Sequence, residues 1–302
     1  MKSTAENKIL CIGEILWDKL PTGMKAGGAP MNVALHLKKI GFNVRFAGRI
    51  GNDQSGWNLQ DFLEGNGLGT ELLQVDNELA TGTVEVNLEA NHQVSYEIVD
   101  NVAWDRIEIT NELDKAANEA NVIIYGTLAS RHHVTRDNII SLLNKNNSLK
   151  LIDVNLRSPF TKSEVVEILL NKADIAKLND DELKVIAGWH NKRDKEKDLV
   201  KWFAEKYGCN MICITRGAKG ALLYHKGEII EHSGYKVNVV DTVGSGDAFL
   251  AGFLASYLSG ENLSKSLDYA CATGALIATK TGGTPNYKLT EIQEMISLYN
   301  SI

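Results

Sequence analysis

Cysteine is nearly absent from the chain: Cys11, Cys209, Cys213 and Cys271 are the only four in 302 residues. No CxxC pair occurs, and no pair of histidines accompanies Cys209 and Cys213, which argues against a zinc site of ordinary spacing. Cys11, Cys213 and Cys271 lie inside apolar segments and read as small buried hydrophobes. A run of ~18 apolar residues is also missing, so no membrane-spanning helix is expected. The opening MKSTAENKIL lacks the apolar stretch of a secretory signal. Basic clusters are missing as well: no Lys/Arg run exceeds two residues and the formal net charge is −6. A nucleic-acid partner would need the positive surface that this composition does not supply. Repeats and low-complexity tracts are lacking too. The expectation is a cytoplasmic chain with no membrane and no nucleic-acid partner.

What is present is a globular composition, 44% hydrophobic and 23% charged, long enough to bury a core without disulfide or metal support. Short β-branched runs at 9–15, 44–48, 122–125, 151–154, 175–178 and 211–215 read as buried strands. Between them, 30–40, 57–64, 138–143, 163–170 and 199–207 carry the i, i+3, i+4 spacing of helices. That alternation predicts one α/β domain over 1–302, a three-layer α/β/α body with a mostly parallel sheet. One stretch breaks the rhythm. Residues 81–99 alternate apolar and polar on both sides of 89–93, with Val84, Val86 and Leu88 on one face. This is a half-buried antiparallel hairpin, expected to project from the main sheet as a small β lid together with residues 16–20.

The strongest local signal is Asp241-Thr242-Val243-Gly244-Ser245-Gly246-Asp247, followed by AFLAGFLASYL. A β-rich stretch at 235–240 is expected to end here, in a glycine turn opening a long apolar helix. The amides of Gly244, Ser245 and Gly246 would then face the positive end of that helix, a ready site for an anion. Asp247 repels such an anion unless it has another task, and the fitting task is to accept the proton of an alcohol attacking a phosphate. An ordinary Asp after a glycine turn is the alternative. Other anion loops fit worse: no Gly-Lys-Ser/Thr of a Walker A exists, Phe249 stands where a dinucleotide fingerprint needs glycine, and no HRD or DFG occurs.

The 241–247 segment with Ala248-Phe249 resembles a signature of the ribokinase-like carbohydrate kinases, the phosphofructokinase-B type. A first signature of that family is matched by Gly27-Gly28-Ala29-Pro30-Met31-Asn32-Val33-Ala34. The resemblance runs from Gly13 to about Gly283 and is closest to the fructokinase-like branch, through GEILWDKLP, GGAPMNVA and DVNLR. It implies that Asp18, Gly27, Gly28 and Asn32 bind the sugar. Asn179 and Glu182 would order water around magnesium, although their spacing is also that of a helix-capping box. Thr215 and Gly217, with Asn179 and Gly246, would meet the nucleotide, ATP. Asp241, the carbonyls of Val243, Ala278 and Gly283 would hold a monovalent cation, potassium. Arg157, just past a buried strand, would reach the transferring phosphoryl group or a substrate carboxylate. Trp17 beside Asp18 is expected to pack on the sugar ring. His36, His132 and His133 carry no assigned chemistry.

The implied reaction is ATP-dependent phosphorylation of a small sugar at a primary hydroxyl. Asp247 acts as base, with the amides of Gly244, Ser245 and Gly246 and Arg157 balancing charge. Fructose is the expected substrate, with 2-keto-3-deoxygluconate and ribose as alternatives and a non-enzymatic sugar or nucleotide sensor as the reading from another class. A homodimer through the lid is expected, because a projecting two-stranded ribbon is marginal alone.

Overall fold

A computed structural model describes residues 7–20, 23–88, 94–145 and 147–299. Its strands are β1 (Lys8–Ile12), β2 (Leu16–Leu20), β3 (Gly23–Gly27), β4 (Asn43–Gly51), β5 (Leu73–Asp76), β6 (Gly82–Leu88), β7 (Val94–Ile98), β8 (Val122–Gly126), β9 (Leu149–Asp153), β10 (Ile175–Asn179), β11 (Met211–Thr215), β12 (Ala221–His225) and β13 (Glu228–His232). The helices are α1 (Ala29–Ile40), α2 (Gln54–Gly65), α3 (Asn111–Glu119), α4 (His133–Lys145), α5 (Ser163–Leu170), α6 (Asp180–Trp189), α7 (Glu196–Tyr207), α8 (Ser245–Leu258), α9 (Leu263–Ala278) and α10 (Leu289–Tyr299).

Among the described residues the main sheet has nine strands, in the order β13-β12-β11-β10-β9-β8-β1-β4-β5. Pairs from β11 across to β5 are parallel, and β11–β12 and β12–β13 are antiparallel. Successive side chains of a strand leave opposite faces, and the core follows that rule. Ile9, Cys11, Ile124 and Cys213 join one apolar layer with residues of α1, α8 and α9. Leu10, Ile12, Tyr125 and Ile214 join the other, with residues of α3 to α7. Burial on both faces explains why the strands read as continuous apolar runs.

The chain lays down β4 and β5 on one side of β1 and β8 to β11 on the other. Such a reversal opens a crevice outside the carboxyl ends of the strands. The expected first strand, 9–15, is shorter in the structure because the chain leaves the sheet at Gly13. There the Gly13 amide bonds the Ala47 carbonyl at 3.0 Å, and a Cβ would come 2.7 Å from Pro30 of α1. The stretch 235–240 is not a strand either. The sheet ends at β13, and the Val240 amide instead bonds the Ala278 carbonyl at 2.9 Å.

A second sheet, in the order β3-β2-β6-β7, stands apart from the first. β2–β3 and β6–β7 are antiparallel, and β2–β6 is parallel. Residues 16–20 and the 81–99 hairpin therefore share one sheet, as expected, although 89–93, the expected turn, lies outside the described residues. The third member, β3, has the glycine-bounded sequence GMKAG, which carries no strand signal. No helix among the described residues is long and apolar enough to cross a membrane.

Candidate active site

Two adjoining cavities lie at the carboxyl ends of the main sheet. One, of about 530 Å³, lies between those strand ends and the small sheet, with Glu14, Asp18, Gly28, Asn32, Arg157 and Asp247 among its lining residues. The other, of about 370 Å³, is lined by Gly217, Tyr235, Val239, Phe249, Cys271 and Ala275. Thr215, Thr242 and Gly246 line both, so the cavities meet where α8 begins.

That junction is built by the glycine turn. Gly244 has φ 73° and caps α8. A Cβ on it would fall 2.4 Å from the Gly283 Cα, so two stretches of backbone touch there. The first amides of a helix have no acceptor within it. Here the Ser245 amide bonds the Thr242 carbonyl at 3.2 Å, leaving the helix start to Gly246 and Asp247. Gly246 is bare for a second reason: a Cβ would stand 3.1 Å from Lys177 Nζ.

Asp247 is buried in the first turn of α8. Its Oδ2 accepts a hydrogen bond from Asn32 Nδ2 at 2.8 Å, joining two residues 215 apart in the chain. Burial pushes the carboxyl above its ordinary range, opposed by Lys177, the Asn32 bond and Arg157. A carboxylate with raised proton affinity, beside an anion-binding helix start, is equipped to take a proton from a hydroxyl group.

Lys177 and Asp153 form a buried pair at 2.9 Å. Burial disfavours the Lys177 ammonium, but Asp153, Asp247 and Glu182 outweigh that cost and raise its pKa. Glu14, just beyond β1, is 3% exposed. Its Oε1 accepts from the Ala29 amide of α1 at 3.2 Å, and its Oε2 has no hydrogen-bond partner among the described residues. Burial, aided by the charge of Asp247, lifts this carboxyl to about 7 against two backbone amides and Arg157. The residue reading assigned no role to Glu14, Asp153 or Lys177. For Asp153 and Lys177 the available signal is a charged residue directly following or between apolar residues of a buried strand, LID in LKLID and AKL in IAKLN.

The residues expected around the sugar come together. Asp18 lines the cavity from β2, and a Cβ on Gly27 would lie 2.5 Å from its Oδ2. Burial raises the Asp18 carboxyl, opposed by Arg157 and Lys25. Gly28, at φ 121°, lets α1 start against the Glu14 carbonyl, which a Cβ would approach to 2.3 Å. Arg157 is exposed on the cavity wall, and its side chain makes no hydrogen bond or ion pair among the described residues. Trp17 does not face the cavity: alternation along β2 turns it away, and its Nε1 bonds the Ser55 carbonyl at 2.9 Å.

Asn179 and Glu182 form a complete capping box on α6. The Asn179 side chain accepts the Asp181 and Glu182 amides at 3.0 and 2.8 Å, and Glu182 Oε2 accepts the Asn179 amide at 2.8 Å. Glu182 Oε1 accepts from the Leu156 amide at 2.8 Å. A carboxylate offers about four acceptor sites, so two are left after these bonds, and Glu182 is among the residues lining the cavity. Of the residues expected around a monovalent cation, Asp241 accepts the Val243 and Gly282 amides at 3.0 and 2.9 Å, and Lys25 Nζ stands 3.8 Å from it. The Ala278 carbonyl receives the amides of Val240 and Asp241, and the Gly283 carbonyl receives His36.

A parallel sheet with a small sheet across its carboxyl ends, and a helix start joining a polar cavity to an apolar one, defines a class: phosphotransferases that bring a nucleotide to a small polar acceptor. Residues 19–289 match the pfkB family carbohydrate kinase description, and the chain belongs to that family. It is a carbohydrate kinase of that family, with the ribokinase-like fold. It is 28% identical over 325 residues to probable fructokinase-7 of Arabidopsis thaliana, covering 97% of this chain and 93% of the relative. Probable fructokinase-5 of the same plant is 30% identical over 305 residues, with 92% and 93% covered. Among solved structures, the fructokinase of Xylella fastidiosa with bound ATP superposes with TM-score 0.85 at 22% identity, covering 97% and 99% of the two chains. An uncharacterized sugar kinase from Pyrococcus horikoshii in complex with ATP gives TM-score 0.80 at 25% identity, covering 95% and 99%.

Proposed function

We propose that the chain transfers the γ-phosphoryl group of ATP to a primary hydroxyl of fructose, in the cytoplasm, with Asp247 as base. The observation that carries this reading is the position of Asp247: buried, held by Asn32, and one residue from the Gly246 junction of the two cavities. The sugar would lie in the polar cavity against Asp18, Gly27, Gly28 and Asn32. The nucleotide would lie in the apolar one, its phosphates reaching Thr215, Gly217 and the start of α8. Asp247 takes the hydroxyl proton and the freed oxygen attacks the γ-phosphorus. The bond to the bridging oxygen breaks and ADP leaves. Helix-start amides, Lys177 and Arg157 offset the charge that builds on the transferring group.

Asn179 and Glu182 fit magnesium through water, given the two acceptor sites left on Glu182 after capping. The ion, when bound, neutralises charge on the terminal phosphates. A potassium ion beside Asp241 belongs to the proposal as a support for the loop, and there it competes with Lys25 for the carboxylate. The small sheet acts as a lid that excludes water. Met24, 49% exposed on β3, adds to the reason for pairing two lids in a homodimer.

Fructose is favoured by the curated relatives, which are named fructokinases, and by charge. Glu14, Asp18, Glu182 and Asp247 line the sugar cavity against Lys177 and Arg157, a balance that suits a neutral polyol. One observation favours a second reading: Arg157 stands without an ion-pair partner among the described residues, as the ligand of a substrate carboxylate would, and 2-keto-3-deoxygluconate is then the substrate. The test compares kcat/KM for fructose, ribose and 2-keto-3-deoxygluconate. Fructose is expected to lead. An advantage for the acid of about tenfold or more, abolished by Arg157→Ala, would replace fructose and keep the kinase.

A further inference from the structure

Helix α1 reaches the phosphate turn by a route outside both cavities. His36 lies one helical turn beyond Asn32 and is 1% exposed. Its Nε2 is 2.9 Å from the Gly283 carbonyl oxygen, and its Nδ1 is 3.1 Å from the Tyr287 hydroxyl. A carbonyl only accepts, so Nε2 carries the proton, and Nδ1 then accepts from the Tyr287 hydroxyl. Two fixed partners thus choose one tautomer.

Gly283 is where this bond gains its consequence. The absent Cβ of Gly244 would strike the Gly283 Cα and carbonyl oxygen at 2.4 Å, and a Cβ on Gly283 would come 3.0 Å from Asn32 Nδ2. The Gly283 backbone is therefore wedged between the turn that opens α8 and the side chain that holds Asp247. Neighbouring contacts bind the same segment to α1: Lys39 Nζ donates to the Pro285 carbonyl at 3.0 Å and stands 4.7 Å over the Tyr287 ring.

We propose that His36 is a positioning residue for phosphoryl transfer, holding the Gly283 peptide against Gly244 through its Nε2–H and so setting the turn that meets the phosphates. This rests on reading that turn as the phosphate cradle. A buried apolar residue at 36 would satisfy the helix equally well, but it would leave the Gly283 carbonyl and the Tyr287 hydroxyl without this partner. Displacement of a reacting group by about 1 Å costs on the order of a hundredfold in rate, so a small shift of Gly283 is enough to register.

The experiment compares full-length His36→Gln, His36→Leu and Tyr287→Phe with the unaltered chain. MgATP affinity is measured by calorimetry, and kcat and KM are measured with fructose as the probe acceptor. Glutamine keeps an N–H near the Nε2 position, and leucine keeps only bulk. His36→Leu is expected to lose about tenfold or more in kcat and MgATP affinity, with KM for fructose within about twofold, and His36→Gln to stay within about threefold throughout. Equal losses in both variants would overturn the proposal, as would an unchanged kcat and MgATP affinity in His36→Leu with only a lower melting temperature. Should His36→Leu fail to fold, Tyr287→Phe decides: it is expected to lower kcat by roughly threefold or more, and unaltered kcat and affinity would refute the proposal. An unaltered chain that binds MgATP without phosphorylating fructose refutes the substrate alone, and calorimetry still decides His36. Full turnover by Asp247→Asn would instead refute the reading of the site.

Discussion

Replacing Glu14 with glutamine should change how stability depends on pH, by an amount set by one buried carboxyl. Glu14 is 3% exposed, with one oxygen on the Ala29 amide and the other without a hydrogen-bond partner among the described residues. Burial lifts its pKa from 4.5 to about 7. Between those values the folded chain holds a proton that the unfolded chain releases. The protonated group's contribution is therefore fully present below about 4.5 and lost as pH rises through about 7. At about 1.4 kcal/mol per unit, the loss by pH 8.5 is about 3 kcal/mol. Glutamine keeps the oxygen that meets Ala29 and cannot ionise, so the variant escapes this loss. Any fixed cost of the substitution, such as its unpartnered amide, shifts the whole curve without tilting it. Urea or thermal unfolding of both chains from pH 4.5 to 8.5 measures the difference directly. The variant should gain about 3 kcal/mol relative to the unaltered chain across that interval, or roughly 5 °C in Tm for a chain of this length. A difference that stays constant with pH would refute the argument, because it would mean that Glu14 does not hold its proton in the folded state.

Asp247→Asn should lower kcat by about 10²–10⁴-fold while sugar binding survives, measured by coupled ADP release; turnover within a few-fold of the unaltered chain would sink the base assignment. Replacing potassium by a bulky organic cation should lower activity, and an unchanged rate would remove the cation from the site, leaving Asp241 to Lys25. Pairing of two small sheets predicts a light-scattering mass near twice the 33.2 kDa of one chain. A single-chain mass at working concentration would refute it.

Much of this was legible in the sequence wherever the deciding physics is local. Alternating apolar periods announced the layers, and Gly244, Gly246 and Asp247 announced a turn, a helix start and a carboxylate, all within a few residues. The Asn179/Glu182 box is equally local, and its capping bonds are in place. Trp17 was misread because adjacency to Asp18 does not imply a shared face in a strand. The stretch 235–240 was misread because β-propensity needs a partner strand, and the sheet ends at β13.

The sequence alone determined the order of layers and a glycine turn fit for an anion, since hydrophobic period, glycine conformation and helix polarity act over a few residues; its resemblance to a known family supplied the class of chemistry. Tertiary structure alone decided which polar groups meet in the low-dielectric interior: Lys177 with Asp153, Asn32 with Asp247, Glu14 with the start of α1, His36 with Gly283. Those pairings join residues from 15 to 247 positions apart. Their energies depend on distance and burial, and only the folded chain sets both.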